Sequence, residues 1–239
     1  MNWRDAGSYE FDPPLTREEW AWQFLRRNTE YRADYAWFIA TWRALEADYG
    51  APPRRDFFRW RQDKRAWRAE SEIAGCGTET CPGENEQVLI ECWMGAKWGF
   101  AKFPIDPEVS RPTPGLELDW RMQSMEVAEA LPGEESSLSP EKMALVFDLS
   151  LPLAPQLDLA RIRFVARQRA LEKTGRLPAR TVRAASAMWT RWLRLLDGTA
   201  DGASVQELAR VLQIGDPDAE LESARRMTAT GYRRILLMD

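Results

Sequence analysis

Apolar residues in the last quarter of the chain recur at helical spacing. Val182, Ala185, Trp189, Trp192, Leu193 and Leu196 follow one another at mostly three- and four-residue steps, which predicts an amphipathic helix that stops near Asp197-Gly198. A second helix is predicted from the capping box Ser204-Val205-Gln206-Glu207, with Val205, Leu208, Ala209 and Leu212 as its stripe. A third is predicted after Asp216-Pro217, an N-cap followed by a proline suited to the first helical position. In it Leu221, Ala224, Thr228, Ile235 and Leu236 share the inward side, with Gly231 set to kink or end it. Three short helices with a small residue in mid-face suit a helix-turn-helix unit.

The first seventy residues show the same period with larger side chains. Thr16-Arg17-Glu18-Glu19 is a capping box opening a helix with Trp20, Phe24 and Leu25 on its face. Tyr31, Tyr35, Phe38, Trp42, Leu45 and Tyr49 form a seam at alternating steps of four and three, ended by Gly50 and Pro52-Pro53. Arg54 to Glu70 reads as a third helix, with seven basic residues among Phe57, Phe58, Trp60 and Trp67. From Ser71 to Pro140 the helical period fades. Gln87–Gly95 and Lys97–Ile105 read as two short strands of a hairpin, and Leu131–Pro140 as a linker. Lys142–Leu151 reads as a strand, followed by a helix through Leu157, Phe164, Val165, Gln168 and Leu171 that closes at Gly175. The expected class is mainly α with a small β component. It is divided into an aromatic-rich helical domain (1–70), an acidic connecting region (71–140) and a helix-turn-helix domain (141–239).

Composition narrows the chemistry. The 239 residues include no His, which excludes Ser-His, Cys-His and His-metal sites, and the many carboxylates show no distinctive pairing, so no catalytic residues are assigned and no enzyme is expected. Cys76, Cys81 and Cys92 are too few for a four-thiolate zinc site, so neither a metal nor any cofactor is expected. The chain has no apolar run long enough to span a bilayer and no secretion-signal layout at its start, which points to a cytoplasmic protein.

Charge is uneven. Residues 1–70 carry 13 basic and 12 acidic side chains, residues 71–150 carry 5 and 15, and residues 151–239 carry 15 and 10. The basic last third suits phosphate contact, with Arg225, Arg226, Arg233 and Arg234 as candidates and Arg210 and Gln206 beside them. The same arginines also fit the solvated back of an amphipathic helix. Seven of the twelve tryptophans fall in residues 1–70. They fit a small aromatic core, a docking surface with Trp20, Tyr35 and Trp42 as anchors, or a base-stacking surface, the last disfavoured by their buried-seam spacing.

Two blocks carry a resemblance. WRDAGSYEFDPPLTREEWAWQFLRRNTEYRADYAWF resembles the N-terminal transcriptional-regulator-like domain of proteobacterial mobile-element regulators. FDLSLPLAPQLDLARIRFVARQRALEKTGRLP, with WLRLLDGTADGASVQELARVL and GYRRIL after it, resembles a C-terminal family formerly of unknown function, understood as a helix-turn-helix variant with an extended turn. Together they resemble the FseA-type activators of integrative and conjugative elements, over roughly residues 3–48 and 145–239. The resemblance implies double-stranded DNA as partner, bound by the positive face of the C-terminal domain, with the opposite face packed on the N-terminal domain. It also implies a single-domain antiactivator, similar to QseM, as a protein partner. An antiactivator or adaptor without its own DNA site is the competing reading, motivated by the acidic middle and the aromatic N-terminal third.

Overall fold

The computed structural model describes residues 1–73, 87–101, 103–113, 117–121, 142–174 and 181–238. Met1–Gln123 and Ser186–Asp239 form one compact unit, and Ser124–Ala185 forms a second. The fold is mainly α with one two-stranded sheet, as the sequence pattern predicts.

In the first unit α1 (Arg17–Leu25) starts at the complete Thr16/Glu19 capping box, and α2 (Thr29–Tyr49) starts at Asn28, whose side chain accepts from the Tyr31 amide. Gly50 ends α2 at φ 86°, a conformation that favours glycine. The predicted seam is the buried edge of α2, with Tyr31, Phe38, Trp42 and Leu45 enclosed.

The predicted helix over Arg54–Glu70 does not form. A single turn, α3 (Phe57–Trp60), is followed by a 3₁₀ turn at Lys64–Ala66 and by strand β1 (Trp67–Ala69). Asp56 and Asp63 accept from the Arg59 and Arg65 amides, so each aspartate starts a new turn and interrupts continuous helix. The predicted hairpin is also replaced. Strand β2 covers only Gln87–Leu89 and pairs antiparallel with β1, Trp67 opposite Leu89. The chain then turns helical as α4 (Ile90–Trp98), ending at left-handed Gly99. Ile90, Trp93, Met94, Ala96 and Trp98 of α4 are all buried, and a helix enclosed on every side loses the polar face that periodicity relies on.

Beyond α4 the described segments 103–113 and 117–121 are mostly irregular, and side chains of α1 and α2 hold the first of them. Trp22 Nε1 donates to the Val109 carbonyl (2.9 Å) and Gln23 Nε2 to that of Ser110 (2.5 Å). The Tyr31 hydroxyl donates to the Ile105 carbonyl and accepts from the Ile105 amide. Arg111 returns the contact, reaching Glu19 Oε1 (2.6 Å) and the carbonyls of Asp12 and Pro13. These bonds satisfy backbone groups that no ladder serves, inside an aromatic core where Trp22 packs edge-on against Tyr31 and Phe100.

The C-terminal helices of this unit are α6 (Val182–Ala200, from Ser186), α7 (Val205–Leu212), α8 (Pro217–Arg226) and α9 (Tyr232–Ile235). A π turn over Met227–Gly231 lies between α8 and α9, where Gly231 predicts a kink. α1 lies along this π turn and α9. Asn28 Nδ2 donates to the Thr228 carbonyl (2.9 Å), and the Tyr232 hydroxyl to that of Trp98 (2.9 Å).

In the second unit the predicted strand Lys142–Leu151 is absent; the segment is irregular with a turn near Asp148. α5 (Leu153–Lys173) matches the predicted helix, while Gly175, Cys76, Cys81 and the predicted linker lie outside the described residues.

Candidate nucleic-acid interface

The α6–α7–α8 group is built around one aliphatic core. Leu195, Leu208, Leu212, Ile214 and Leu221 pack together, and Trp3 from the N-terminus inserts among them at 1 % exposure. Gly198 makes that insertion feasible. A β-carbon at this position would stand 2.6 Å from Leu208 Cδ2 and 2.8 Å from the Trp3 ring. Arg194 fixes the backbone of the inserted segment, donating to the carbonyls of Trp3 (2.8 Å) and Arg4 (3.2 Å).

The turn between α7 and α8 is Gln213–Asp216. Gln213 takes a left-handed conformation (φ 55°), and the Ile214 amide reaches back to the Ala209 carbonyl. Ser204 caps α7 through the Glu207 amide, while the Glu207 carboxylate pairs with Arg4 (2.8 Å). Asp216 caps α8 through the Ala219 amide, with Pro217 first in the helix. Arg191 forms a two-pronged bond with Glu220 (both 2.9 Å), and Trp192 Nε1 joins the same carboxylate, clamping α8 to α6.

On this scaffold Arg225 and Arg226 are exposed at the C-terminal end of α8 and Arg234 is exposed on α9. Arg210 and Gln206 are exposed one turn apart on α7. Arg233 differs from its neighbours. It is half-buried and donates to the Lys97 carbonyl and the Tyr232 hydroxyl, so its guanidinium braces α9 on α4. The face of α8 is mixed, because exposed Asp218 and Glu222 precede the two arginines and Glu222 lies 4.0 Å from Arg226.

The aromatic anchors separate into two roles. Trp20 is buried and joins the N-terminal helices to α6, its ring 5.4 Å from that of Trp189, with Phe24 6.2 Å from Trp189 on the same side. Trp42 and half-buried Tyr35 belong to the N-terminal core. Trp42 packs against Phe38, Trp60 and Phe103 with the Arg55 guanidinium 4.3 Å above it, and Tyr35 stands beside Tyr31.

One polar group ties the two ends of the chain together without any sequence signal. Arg27 donates through Nε and Nη2 to Asp197 of α6 (2.6 and 2.8 Å), and the Tyr9 hydroxyl adds a third bond (2.5 Å). Burial raises the Asp197 carboxyl, but Arg27 and Tyr9 outweigh it and hold the group below its usual range. Burial and the neighbouring carboxylate push the Tyr9 phenol well up.

Among the described residues there is no cluster of side chains that could hold a metal ion, and no helix is long and apolar enough to cross a membrane. Residues 2–67 match the family model of the proteobacterial transcriptional regulator-like domain. No curated protein and no solved structure matches the chain. The N-terminal part is therefore similar to a regulator domain, and the match supports a regulatory role for the protein.

Proposed function

We propose that this protein is a DNA-binding transcriptional activator of the FseA type, acting on the excision or conjugative transfer of a mobile genetic element. The observation that carries the reading is the combination of a regulator-like domain at residues 2–67 with a capped α7–turn–α8 pair that exposes Arg225 and Arg226, followed by α9 with Arg234 exposed. Arginine forks there suit phosphate oxygens, and Gln206 with Arg210 on α7 extends the polar surface. α1 packs on α9 and on the π turn, and Arg225, Arg226 and Arg234 stay exposed.

A competing reading rests on a specific observation as well. Ahead of its two arginines the exposed side of α8 is acidic, with Asp218 and Glu222, which suits a basic protein surface better than a phosphate backbone. On that reading the protein is an antiactivator or adaptor that binds another regulator, and a single-domain antiactivator is a partner to be tested on either reading.

The test is a mobility-shift titration of the full chain on promoter duplexes flanking its own gene, at several salt concentrations. The wild type is expected to bind with a steep salt dependence. Arg225→Glu with Arg226→Glu should weaken binding to every duplex and flatten the slope by about one log unit for each phosphate no longer neutralised. A wild type that shifts no duplex yet co-purifies stoichiometrically with a regulator would replace this reading by the competing one.

A further inference from the structure

The loop joining α1 to α2 carries more positive charge than the surrounding carboxylates balance. An open groove of about 590 Å³ lies there, bordered by Arg26, Arg27, Arg32, Glu108, Asp197 and Ala200. All of these belong to one compact unit. The two carboxylates are already committed. Asp197 is held by Arg27 and Tyr9, and Glu108 is paired with Arg32.

Arg26 has no carboxylate of its own. Its Nε donates to the Pro107 carbonyl (2.8 Å) and its Nη2 to the Glu108 carbonyl (3.3 Å). Arg32 donates to the Arg26 carbonyl (3.4 Å) and to the Glu108 carboxylate. A guanidinium carries five N–H groups, so each of these arginines keeps roughly three that can bind a ligand. Burial, with the adjacent positive charge of Arg27 second, pushes Arg26 down to about 10. Asp197 and Glu108 offset only part of that, and both carboxylates are bonded to other side chains.

We propose that this groove is a binding site for a small organic phosphate, with Arg26 and Arg32 as the forks that grip its anionic head. Arginine suits this task because its planar donors match phosphate oxygens two at a time. The groove has the volume of an ordinary metabolite site, which leaves room beside the head group for an organic body. The Ala200 methyl offers that body an apolar contact. Arg27 borders the groove and also holds α6 through Asp197, so an occupant meets both the regulator-like segment and the C-terminal helices. This site does not depend on whether the protein binds DNA.

The test uses the full-length protein labelled for arginine Nε–H NMR signals. It is titrated with phenyl phosphate and with inorganic phosphate against sodium chloride of equal ionic strength. Phenyl phosphate should move the Arg26 and Arg32 signals saturably, with half-saturation below about 1 mM, and bind more tightly than inorganic phosphate. Arg26→Met should weaken it by about tenfold or more. Because Arg26 also braces Pro107, Arg32→Met, at a more exposed position, is the second variant and should weaken binding while leaving the melting temperature unchanged. Shifts that chloride reproduces, or equal affinity in a folded Arg26→Met and in Arg32→Met, would overturn the site. So would a groove that ignores phenyl phosphate but whose variants lose affinity for duplex DNA, since it would then belong to a nucleic-acid surface.

Discussion

The two ends of this chain are packed with different materials. From Trp22 to Phe100 the core is aromatic, and several of its rings are hydrogen-bonded to backbone carbonyls, two of them in irregular chain: Trp22 to Val109 and Tyr31 to Ile105. Around α7 and α8 the core is leucine and isoleucine with Trp3 as its one inserted aromatic ring, and the backbone is satisfied by caps and regular helix. An aliphatic side chain can only exclude water, so it requires that its backbone already be paired. A tryptophan or tyrosine excludes water and also pairs a carbonyl, so it can stabilise chain that has no secondary structure. The aromatic end is therefore the one that holds 103–113 in place without a sheet.

That contrast is most directly broken at Trp22, which is fully buried. Trp22→Ala removes the ring and the bond to Val109 together, and should cost about 3–5 kcal/mol, enough to unfold a marginal domain. Trp22→Phe should recover most of the packing but leave the Val109 carbonyl unpaired. The difference between Trp22→Phe and the wild type in urea unfolding then measures what the ring nitrogen contributes, about 1–3 kcal/mol, and the difference between the two variants measures the packing of the ring. If Trp22→Phe unfolds like the wild type, the irregular segment does not depend on that bond.

The next effects lie where the two ends meet. Asp197→Asn leaves Arg27 half-buried without its counter-charge and should destabilise by about 2–3 kcal/mol at neutral pH. Gly198→Ala drives a methyl group into Leu208 and Trp3 and should cost about 1–3 kcal/mol. It should also free the N-terminal segment, read as faster proteolysis near Trp3. Unchanged stability and proteolysis in Gly198→Ala would mean that Trp3 can leave the aliphatic core at little cost.

The difference in packing also decides what was legible beforehand. The caps at Thr16, Ser204 and Asp216-Pro217 act within four residues, and each is where the sequence places it. The α6 and α2 stripes are legible because one side of each helix meets solvent. Ile90–Trp98 has no such side and reads as strand, while β1 depends on pairing with a strand about twenty residues away, which no local pattern announces. Of the candidate surface, Arg225, Arg226 and Arg234 are exposed as the charge pattern suggests, but Arg233 is diverted to the Lys97 carbonyl by the π turn, a backbone event that Gly231 only hints at. The Arg27–Asp197 pair joins positions 170 residues apart and has no sequence signature.

The smallest expected effect has the opposite sign. Glu91, at the start of α4, keeps Oε2 buried without a hydrogen-bond partner among the described residues, and burial pushes its carboxyl above the ordinary range despite Arg55 nearby. A carboxyl raised in the folded state binds its proton more tightly there than in the unfolded chain. Its contribution is therefore most favourable below the unfolded value and is lost as pH rises through the folded one. Asp197, held below its usual range, behaves in the reverse way: its contribution is present above the unfolded value and is lost as pH falls through the folded one. Glu91→Gln should thus stabilise the protein at neutral pH by less than about 1 kcal/mol and lose that gain in acid. Asp197→Asn should lose its penalty over the lower part of the same range. Unfolding the wild type and both variants from pH 3 to pH 8 would display two curves departing from the wild type in opposite directions as pH rises, an order-of-magnitude window set by ordinary carboxylate values. A Glu91→Gln variant less stable than wild type at neutral pH would mean that the ionised carboxylate has a partner there, and that the aromatic end, like the junction, uses charge to hold its shape.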